Sequence, residues 1–256
     1  MAHALARRGA RLALVDRDAA RLDRVAEAVR QQHGVTVTTY LTDLADDAAT
    51  HDLGRRLAAA HPDATLLVNN AGVALGGTFE QVSEEDFDWL MAINFRAVVT
   101  LTRTLLPVLA GNRGSHLVNM SSLFGLIAPA GQVAYATSKF AVRGFTEALR
   151  AELAGRVGVT VVHPGGIATR IAESARVAAG ASAAEEAAGK ASFARLLTYP
   201  PEKAAAEIAD AIERRRPRLL IATSARVPDL IARITPGRYP AVLATFERRM
   251  ARRAPG

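Results

Sequence analysis

Short apolar runs alternate with longer segments of helical periodicity along most of the chain, and this alternation restricts the fold more than any other feature. Apolar runs of about four to eight residues, bounded by turn residues, are typical of strands buried on both faces, and the helical period is typical of helices packed on a sheet. Strands that alternate with helices pair in parallel. We therefore predict an α/β fold built on a doubly wound parallel sheet, that is, a Rossmann-like fold.

Several helices also have recognisable ends. One begins near Ser83, where S-E-E-D supplies an N-cap and an acidic first turn, and another follows P-P-E-K at 200–203, with proline in its first turn. A third runs over about 133–153. The predicted strands are 12–15, 35–40, 65–68, 116–119, 157–162 and 219–222.

Length and composition fit a single domain spanning 1–256. Half of the 256 residues are hydrophobic, enough for one sizeable core, and no linker divides the chain. Cysteine is absent and the six histidines lack the spacing of metal ligands, so we predict neither disulfides nor a metal cofactor. No apolar run approaches the roughly 20 residues of a membrane-spanning helix and no signal peptide is visible, so we expect a cytoplasmic protein without a transmembrane segment.

The basic residues are concentrated at the C-terminus. Between 214 and 256, eleven Arg and no Lys stand against Asp229 and Glu247, a net charge of +9 that leaves −2 for residues 1–213 out of the total of +7. We interpret this basic extension, about 223–256, as a solvated Arg-rich face, with contact to an anionic membrane surface as the weaker alternative. One Trp and four Tyr offer few rings for stacking on bases, so we predict no nucleic-acid partner.

A segment at about 170–198 is rich in Ala, Ser, Gly and Glu, with weak helical signals and no strand pattern. Mobile segments over the strand ends of parallel sheets often cover a substrate. We therefore predict a flexible substrate lid over this segment.

Tyr135 and Lys139 are four residues apart in the helix predicted at 133–153, so their side chains leave the same face about 6 Å apart along the axis. A free tyrosine has a pKa of about 10, and a fixed ammonium beside it favours the phenolate and lowers this pKa. The pair therefore predicts a general acid/base. Taken alone, it also fits an ordinary amphipathic helix surface.

Polar and small residues follow three of the predicted strands. N-N-A-G at 69–72 follows one strand, Ser122 follows another and lies thirteen residues before Tyr135, and P-G-G at 164–166 closes a third. Asn94 falls in the helix after the first of these strands. Because the carboxyl ends of parallel strands meet at the rim where ligands bind, we predict that these groups form one site.

These motifs resemble those of the classical short-chain dehydrogenases/reductases. The resemblance covers about 7–222 and rests on N-N-A-G at 69–72, N-M-S-S at 119–122, Y-A-T-S-K at 135–139 and H-P-G-G-I-A-T at 163–169. It implies an NAD(P)-dependent oxidoreductase that transfers a hydride between a nicotinamide cofactor and an alcohol or carbonyl substrate. It also implies a homodimer or homotetramer.

The resemblance implies roles for four candidate catalytic residues. Tyr135 would be the general acid/base, and Lys139 would lower its pKa and hold the nicotinamide ribose. Ser122 would hydrogen-bond the reacting carbonyl or hydroxyl, with Ser121 as its competitor, and Asn94 would hold a water in the proton relay. Asn94 also fits a buried polar group that satisfies a neighbouring strand.

Cofactor contacts are implied in the same way. Asp16, at the end of the strand at 12–15, matches the acidic position that binds an adenosine ribose and repels a 2′-phosphate, which favours NAD. Arg17 beside it could pair with that phosphate, so NADP stays an alternative. Asp16 also fits a helix N-cap, and Gly72 a simple turn. The other implied contacts come from Asp43, Leu44, Asn70, Ala71, Gly72, Tyr135, Lys139, Pro164, Gly165, Ile167 and Thr169.

The start of the chain departs from the family pattern of a strand, a glycine-rich phosphate turn and a helix. Residues 2–8 match only the end of that helix, with Gly9 as its stop. The missing first strand would lie between the strands at 12–15 and 65–68, so we expect either an unstable chain or direct pairing of those two strands. We interpret Met1 as an internal methionine of a longer protein.

The predicted substrate is an apolar or neutral alcohol or ketone, because the lid has no pair of arginines placed for a phosphate. The alternative to an active oxidoreductase is a non-catalytic partner protein that has lost dinucleotide binding and pairs with an intact homologue through the helices near 83–110 and 133–153. Five apolar residues would wall the substrate pocket but also fit the core: Val73, Leu75, Leu123, Phe124 and Phe193.

Overall fold

The structure, a computed structural model, describes residues 1–171, 175–242 and 245 and has the predicted α/β fold with parallel strands. Its strands are β1 Leu12–Asp16, β2 Val37–Leu41, β3 Leu66–Asn69, β4 Leu75–Gly76, β5 His116–Met120, β6 Gly158–Pro164, β7 Arg176–Val177 and β8 Arg218–Ile221. Its α-helices are α1 Ala2–Ala6, α2 Ala19–His33, α3 Asp47–Ala60, α4 Glu84–Met91, α5 Ala97–Gly111, α6 Val133–Glu152, α7 Ala183–Leu196, α8 Pro201–Glu213 and α9 Thr223–Ile234.

The local signals read from the sequence are confirmed. The six predicted strands are present, each within two residues of its expected bounds. The Ser83 hydroxyl caps α4 by accepting a hydrogen bond from the Asp86 amide at 3.1 Å, and α8 begins with Pro201. Gly9, which follows α1, has a φ of +81°, the left-handed conformation that ends a helix.

The strands form two separate main sheets. β1 pairs with β2, whereas β3, β5, β6 and β8 form a parallel sheet in that order. In the part of the chain that the structure describes, β1 and β3 are not paired with each other, so the expected direct pairing is wrong. We call the space between these two strands the sheet gap. Backbone hydrogen bonds therefore do not connect the two sheets.

Side chains and helices join the two sheets instead. Helix α3 packs against α5, and Val15 of β1 and Leu67 of β3 contact the same buried cluster, which includes Leu53 and Leu101. Helix α1 packs against α2 and α8. Arg8, just after α1, pairs with Asp210 and with Glu213, the latter at 2.7 Å. Apolar contacts and ion pairs thus hold the halves together across the sheet gap.

The lid segment is more ordered than its composition predicts. β7 pairs with β4, and the 14 residues of α7 follow, so the expectation of no strand is wrong. Two residues are too few to show an alternating pattern, and an Ala-rich helix forms through intrinsic propensity without needing an apolar period. Beyond α7, the Thr198 and Tyr199 amides donate to the Gly166 carbonyl and tie this end of the lid to the end of β6.

The helical stretch Glu84–Gly111 is more apolar than we expected from the sequence, where we found no run long enough to span a membrane. It contains an 18-residue window with a mean hydropathy of 1.2, and it is the one described stretch that is long and apolar enough to cross a membrane by composition. Half of that window is buried, and α5 packs against α3 and the sheet. Its place in the core accounts for its apolar character.

Candidate active site

The carboxyl ends of four parallel strands meet at one rim of the larger sheet. β3 ends at Asn69, β5 at Met120, β6 at Pro164 and β8 at Ile221. The sequence motifs that follow three of these strands are therefore brought together, as predicted. Asp16 and Leu41 end the strands of the smaller sheet.

Ser122 is the serine that faces Tyr135. Its backbone is extended, and its hydroxyl accepts a hydrogen bond from the Phe124 amide at 3.1 Å, which starts the 3₁₀ turn Leu123–Gly125. The same hydroxyl lies close enough to the Tyr135 phenol to lower its pKa. Its competitor Ser121 instead donates to the Lys139 backbone carbonyl at 2.8 Å. Geometry thus separates the two neighbouring serines.

Tyr135 and Lys139 lie one turn apart on α6 and are almost fully buried, with 7% and 4% exposed. The Lys139 Nζ is 5.7 Å from the centroid of the Tyr135 ring and donates to the Met120 carbonyl at 3.2 Å. The Phe124 ring packs edge-on against Tyr135, with 6.0 Å between centroids. The end of β5 therefore fixes the position of both side chains.

Burial favours the neutral form of both residues. It raises the pKa of the Tyr135 phenol, and the Ser122 hydroxyl opposes this by donating to the phenolic oxygen. Burial also lowers the pKa of Lys139 from 10.5 to about 8. The prediction of a lowered Tyr135 pKa is wrong for the protein alone, because desolvation outweighs the stabilisation of the phenolate.

Asn94 lies in a π-helical turn, Ala92–Arg96, between α4 and α5. Such turns insert one extra residue into a helix and are frequent at functional sites. The Asn94 side chain is fully buried, accepts from the Val73 amide at 2.9 Å, and donates to the Val73 carbonyl at 3.0 Å and to the Ser138 hydroxyl at 3.1 Å. It therefore connects the segment after β3 to α6. This agrees with the expectation that Asn94 is a buried polar group with its hydrogen bonds satisfied.

Two glycines stand where a side chain would crowd its neighbours. A Cβ on Gly72 would lie 3.1 Å from the Lys139 Nζ and 3.3 Å from the Asn94 Oδ1. The Gly72 backbone therefore comes close to both side chains, in addition to forming a turn. A Cβ on Gly165 would lie 2.2 Å from the Ser224 Oγ. Glycines at such places let a ligand or another backbone come close.

The remaining implied cofactor residues line this rim unevenly. Asn70, Ala71 and Thr169 are exposed, while Leu44, Pro164, Gly165 and Ile167 are half-buried. Ile167 forms an isolated β-bridge with Tyr199, and the Ile167 carbonyl accepts a hydrogen bond from the Thr169 amide at 2.7 Å. Accessible residues therefore follow β3 and β6, on the same rim of the sheet as Lys139.

The acidic candidates lie at the ends of β1 and β2. The N-cap of α2 is Asp18, which accepts from the Arg21 amide, so the reading of Asp16 as the cap is wrong. Asp16 accepts from the Asp18 amide at 3.0 Å and leaves the rest of its exposed carboxylate accessible. Arg17 lies 3.9 Å from the Asp43 carboxylate, a loose and exposed ion pair.

Sequence reasoning missed three polar residues that support the site. Ser138, inside Y-A-T-S-K, donates to the Tyr135 carbonyl at 2.8 Å. The Nδ1 of His163 donates to the Ser122 carbonyl at 3.0 Å. Asn119, inside N-M-S-S, accepts from Asn69 at 2.8 Å. All three lie inside motifs already noticed, but their burial is a tertiary property that the motifs alone do not reveal.

Val73 and Leu75 are buried in one cluster with Tyr135, so they are core residues behind the site. Leu123 and Phe124 are half-buried beside Ser122, and the side chain of Phe193 lies outside the described residues. Within the described ranges, no group of three or more His, Cys, Asp or Glu side chains could hold a metal ion.

Known proteins share this architecture. Residues 1–179 match the family model for the short chain dehydrogenases. The Mycobacterium tuberculosis protein named as oxidoreductase SadH is 38% identical over a 255-residue alignment covering 94% of this chain and 87% of that protein.

Two solved structures are also similar. A short-chain dehydrogenase/reductase from Burkholderia phymatum, in complex with NAD, is 27% identical with a TM-score of 0.78, over 91% of this chain and 88% of its own. A short chain dehydrogenase from Burkholderia cenocepacia, in complex with NADP, is 28% identical with a TM-score of 0.73, over 88% of this chain and 92% of its own.

Proposed function

The chain belongs to the short-chain dehydrogenase/reductase family of oxidoreductases, and from this premise we propose that it interconverts apolar or neutral alcohols and ketones with NAD(P), using Tyr135 as the general acid/base. The observation that carries the proposal is the placement of Tyr135 on α6 at the strand-end rim, with the Lys139 Nζ 5.7 Å from its ring centroid and the Ser122 hydroxyl close enough to lower the pKa of its phenol. A carbonyl oxygen placed between the two hydroxyls would be held by one and protonated by the other.

The chemistry divides between cofactor and protein. The nicotinamide supplies or accepts the hydride. In reduction, the Tyr135 phenol donates its proton to the substrate oxygen as the C–H bond forms; in oxidation, the phenolate takes the proton from the hydroxyl. The Ser122 hydroxyl orients that oxygen. Lys139, with a pKa of about 8, carries its charge at neutral pH and favours the phenolate whenever the proton leaves.

The residues present fit the nicotinamide half of the cofactor. Gly72 leaves the space next to the Lys139 ammonium clear, and Gly165 keeps the end of β6 free of a side chain. The Lys139 ammonium would hold the ribose hydroxyls, and the exposed Asp16 carboxylate would accept hydrogen bonds from the adenosine ribose. We infer a preference for NAD, because the exposed Asp16 carboxylate at the end of β1 would repel a 2′-phosphate.

The lid supports a neutral substrate. Arg176 pairs with Asp86 at 3.3 Å and stacks over the Trp89 ring at 3.8 Å, so this charge is engaged at the lid's own base. Phe124 and Leu123 beside Ser122 add apolar surface. An alcohol or ketone with an apolar body fits these surroundings better than a phosphorylated one.

The test has two arms. The first titrates the full chain with NADH and NADPH by fluorescence, and the second follows cofactor absorbance with a panel of alcohols and ketones. We expect NADH binding and turnover that Tyr135→Phe abolishes while cofactor affinity changes less than about threefold. Absence of binding to either dinucleotide would instead favour the non-catalytic partner protein.

A further inference from the structure

Helix α9 presents a row of apolar side chains to solvent. Val227, Leu230 and Ile234 are 46%, 60% and 70% exposed. Their spacing of three and four residues puts them on one face, within about 60° of one another around the helix axis. A single exposed apolar residue is ordinary, but three in a row form a patch that favours contact with another apolar phase.

The opposite face of α9 is fixed to the protein. Ala225 is fully buried, and the helix packs against β8 and the 3₁₀ turn after Ser122. Asp229, with only 13% of its side chain exposed, pairs with Arg218 of β8 and with Arg233 at 3.3 Å. Because these contacts hold the helix in one rotation, the apolar row cannot turn inward.

Two arginines border the apolar row. Arg226 and Arg233 are seven residues apart and exposed, so they line the same side of the row, about 40–60° away from it around the axis. An apolar face with a basic border is the arrangement of helices that lie in the plane of a membrane surface. The charge of the surrounding sequence has the same sign, since residues 214–256 sum to +9 and residues 1–213 to −2.

We propose that α9 binds the surface of an anionic lipid bilayer, with Val227, Leu230 and Ile234 inserted at the boundary of the acyl chains and Arg226 among the headgroups. Charge complementarity identifies the occupant, because exposed basic side chains are attracted to the negative potential of an anionic surface. A second copy of this chain docked through the same face would bring its Arg226 and Arg233 close to the same two arginines. The proposal does not depend on the reaction that the site catalyses.

The position of α9 gives this contact a consequence for access to the site. The helix begins two residues after β8, at the strand-end rim that carries Ser122 and Tyr135. Ser224 in its first turn accepts from the Gly166 amide at 3.3 Å, and beyond its end the Tyr239 hydroxyl accepts from the Ala128 amide at 3.1 Å. Docking through α9 would bring the strand-end rim close to the lipid surface.

The test is cosedimentation of the full chain with vesicles of phosphatidylcholine alone and of phosphatidylcholine with one quarter phosphatidylglycerol. We expect binding only to the anionic vesicles, weakening as salt rises. Leu230→Ser with Ile234→Ser should weaken this binding about tenfold or more, because each residue loses an apolar contact with the lipid. The matched control is Leu41→Ser on β2, since Leu41 is also 60% exposed and should bind as the unmodified chain does.

Three results would overturn the proposal. The first is no binding to anionic vesicles at low salt. The second is equal binding by the Leu230→Ser/Ile234→Ser chain, which would leave attraction by the arginines as the whole effect. The third is a change of oligomeric state in that variant, measured by light scattering, with vesicle binding unaltered, which would identify the row as a contact between copies. Circular dichroism checks that each variant is folded.

Discussion

The Lys139 ammonium lies 5.7 Å from the centre of the Tyr135 ring, and burial favours the uncharged form of both residues. In the protein alone, the pKa of the Tyr135 phenol is raised and the pKa of the Lys139 ammonium is lowered, so each shift favours the neutral form. The pair resists forming a phenolate until something offsets the desolvation. In the proposed reaction the Ser122 hydroxyl is the group in contact with the phenol that helps to do so.

Lys139→Met should stabilise the chain while abolishing turnover. With a pKa of about 8 when folded and 10.5 when unfolded, the buried charge costs about 3 kcal/mol at pH 7. The lost hydrogen bond to Met120 returns about 1 kcal/mol of this, so we expect a net gain of about 2 kcal/mol in the free energy of unfolding, measured with urea.

The sign of the pH dependence provides the check. Between pH 8 and 10.5 the unfolded chain binds more protons at Lys139 than the folded chain does, so this residue makes stability rise with pH across that window. The advantage of Lys139→Met should therefore shrink as pH rises through it. A constant advantage at pH 7 and pH 10.5 would contradict a buried ammonium.

Ser122→Ala and Ser121→Ala should differ in kind. Ser122 contacts the phenol, so its loss should lower kcat by about a hundredfold or more with little change in unfolding. Ser121 donates to the Lys139 carbonyl, so its loss should cost about 1 kcal/mol of stability and leave most of kcat. Steady-state kinetics and urea titration of both variants measure the difference; a reversed pattern would exchange their assignments.

Acid should destabilise the fold through two buried histidines. Burial lowers the pKa of His116 and of His163 from 6.5 to about 4, and the two residues are only 3% and 0% exposed. Below pH 6.5 the unfolded chain takes up protons that the folded chain refuses, so each residue removes up to about 3 kcal/mol as pH falls to 4. Thermal melts of His116→Gln over this range should show a shallower decline than those of the unmodified chain. His51→Gln, an exposed position on α3, is the control and should follow the unmodified chain.

Gly165→Ala should damage the site, whereas Gly144→Ala should be tolerated. A Cβ at 165 would lie 2.2 Å from the Ser224 Oγ and 3.1 Å from the Ala225 amide nitrogen, so the Ser224 hydroxyl must turn away from the Gly166 amide and the first turn of α9 must give by a few tenths of an ångström. No atom lies within 4 Å of a Cβ at Gly144, inside α6, where alanine should stabilise by about 0.5–1 kcal/mol. Gly165→Ala should lower both the dinucleotide affinity and the melting temperature, whereas Gly144→Ala should raise the melting temperature and leave the dinucleotide affinity unchanged. Equal dinucleotide affinity in both would show that the turn after β6 takes no part in binding.

Much of the fold and site could be predicted because the signals are local. The strands are apolar runs, α4 and α8 begin with their expected cap and proline, and Ser122 and Tyr135 meet because parallel strands end at one rim. The rest depends on long-range packing. The displacement of the Tyr135 pKa follows from its burial, and the π-helical turn at Asn94 from its bonds to Val73, neither of which a sequence window contains.

The sheet gap has a consequence for cooperativity. Since β1 and β2 share no backbone hydrogen bonds with the larger sheet among the described residues, the unit formed by α1 to β2 can open by breaking side-chain contacts alone. Amide protons of β1 and β2 should then exchange with solvent at a lower free energy than those of β5 and β6, which have strand neighbours on both sides. The molecule would behave as two folding units that share a surface, and the apolar cluster around Leu53 and Leu101, together with the Arg8 ion pairs with α8, would set how often they part.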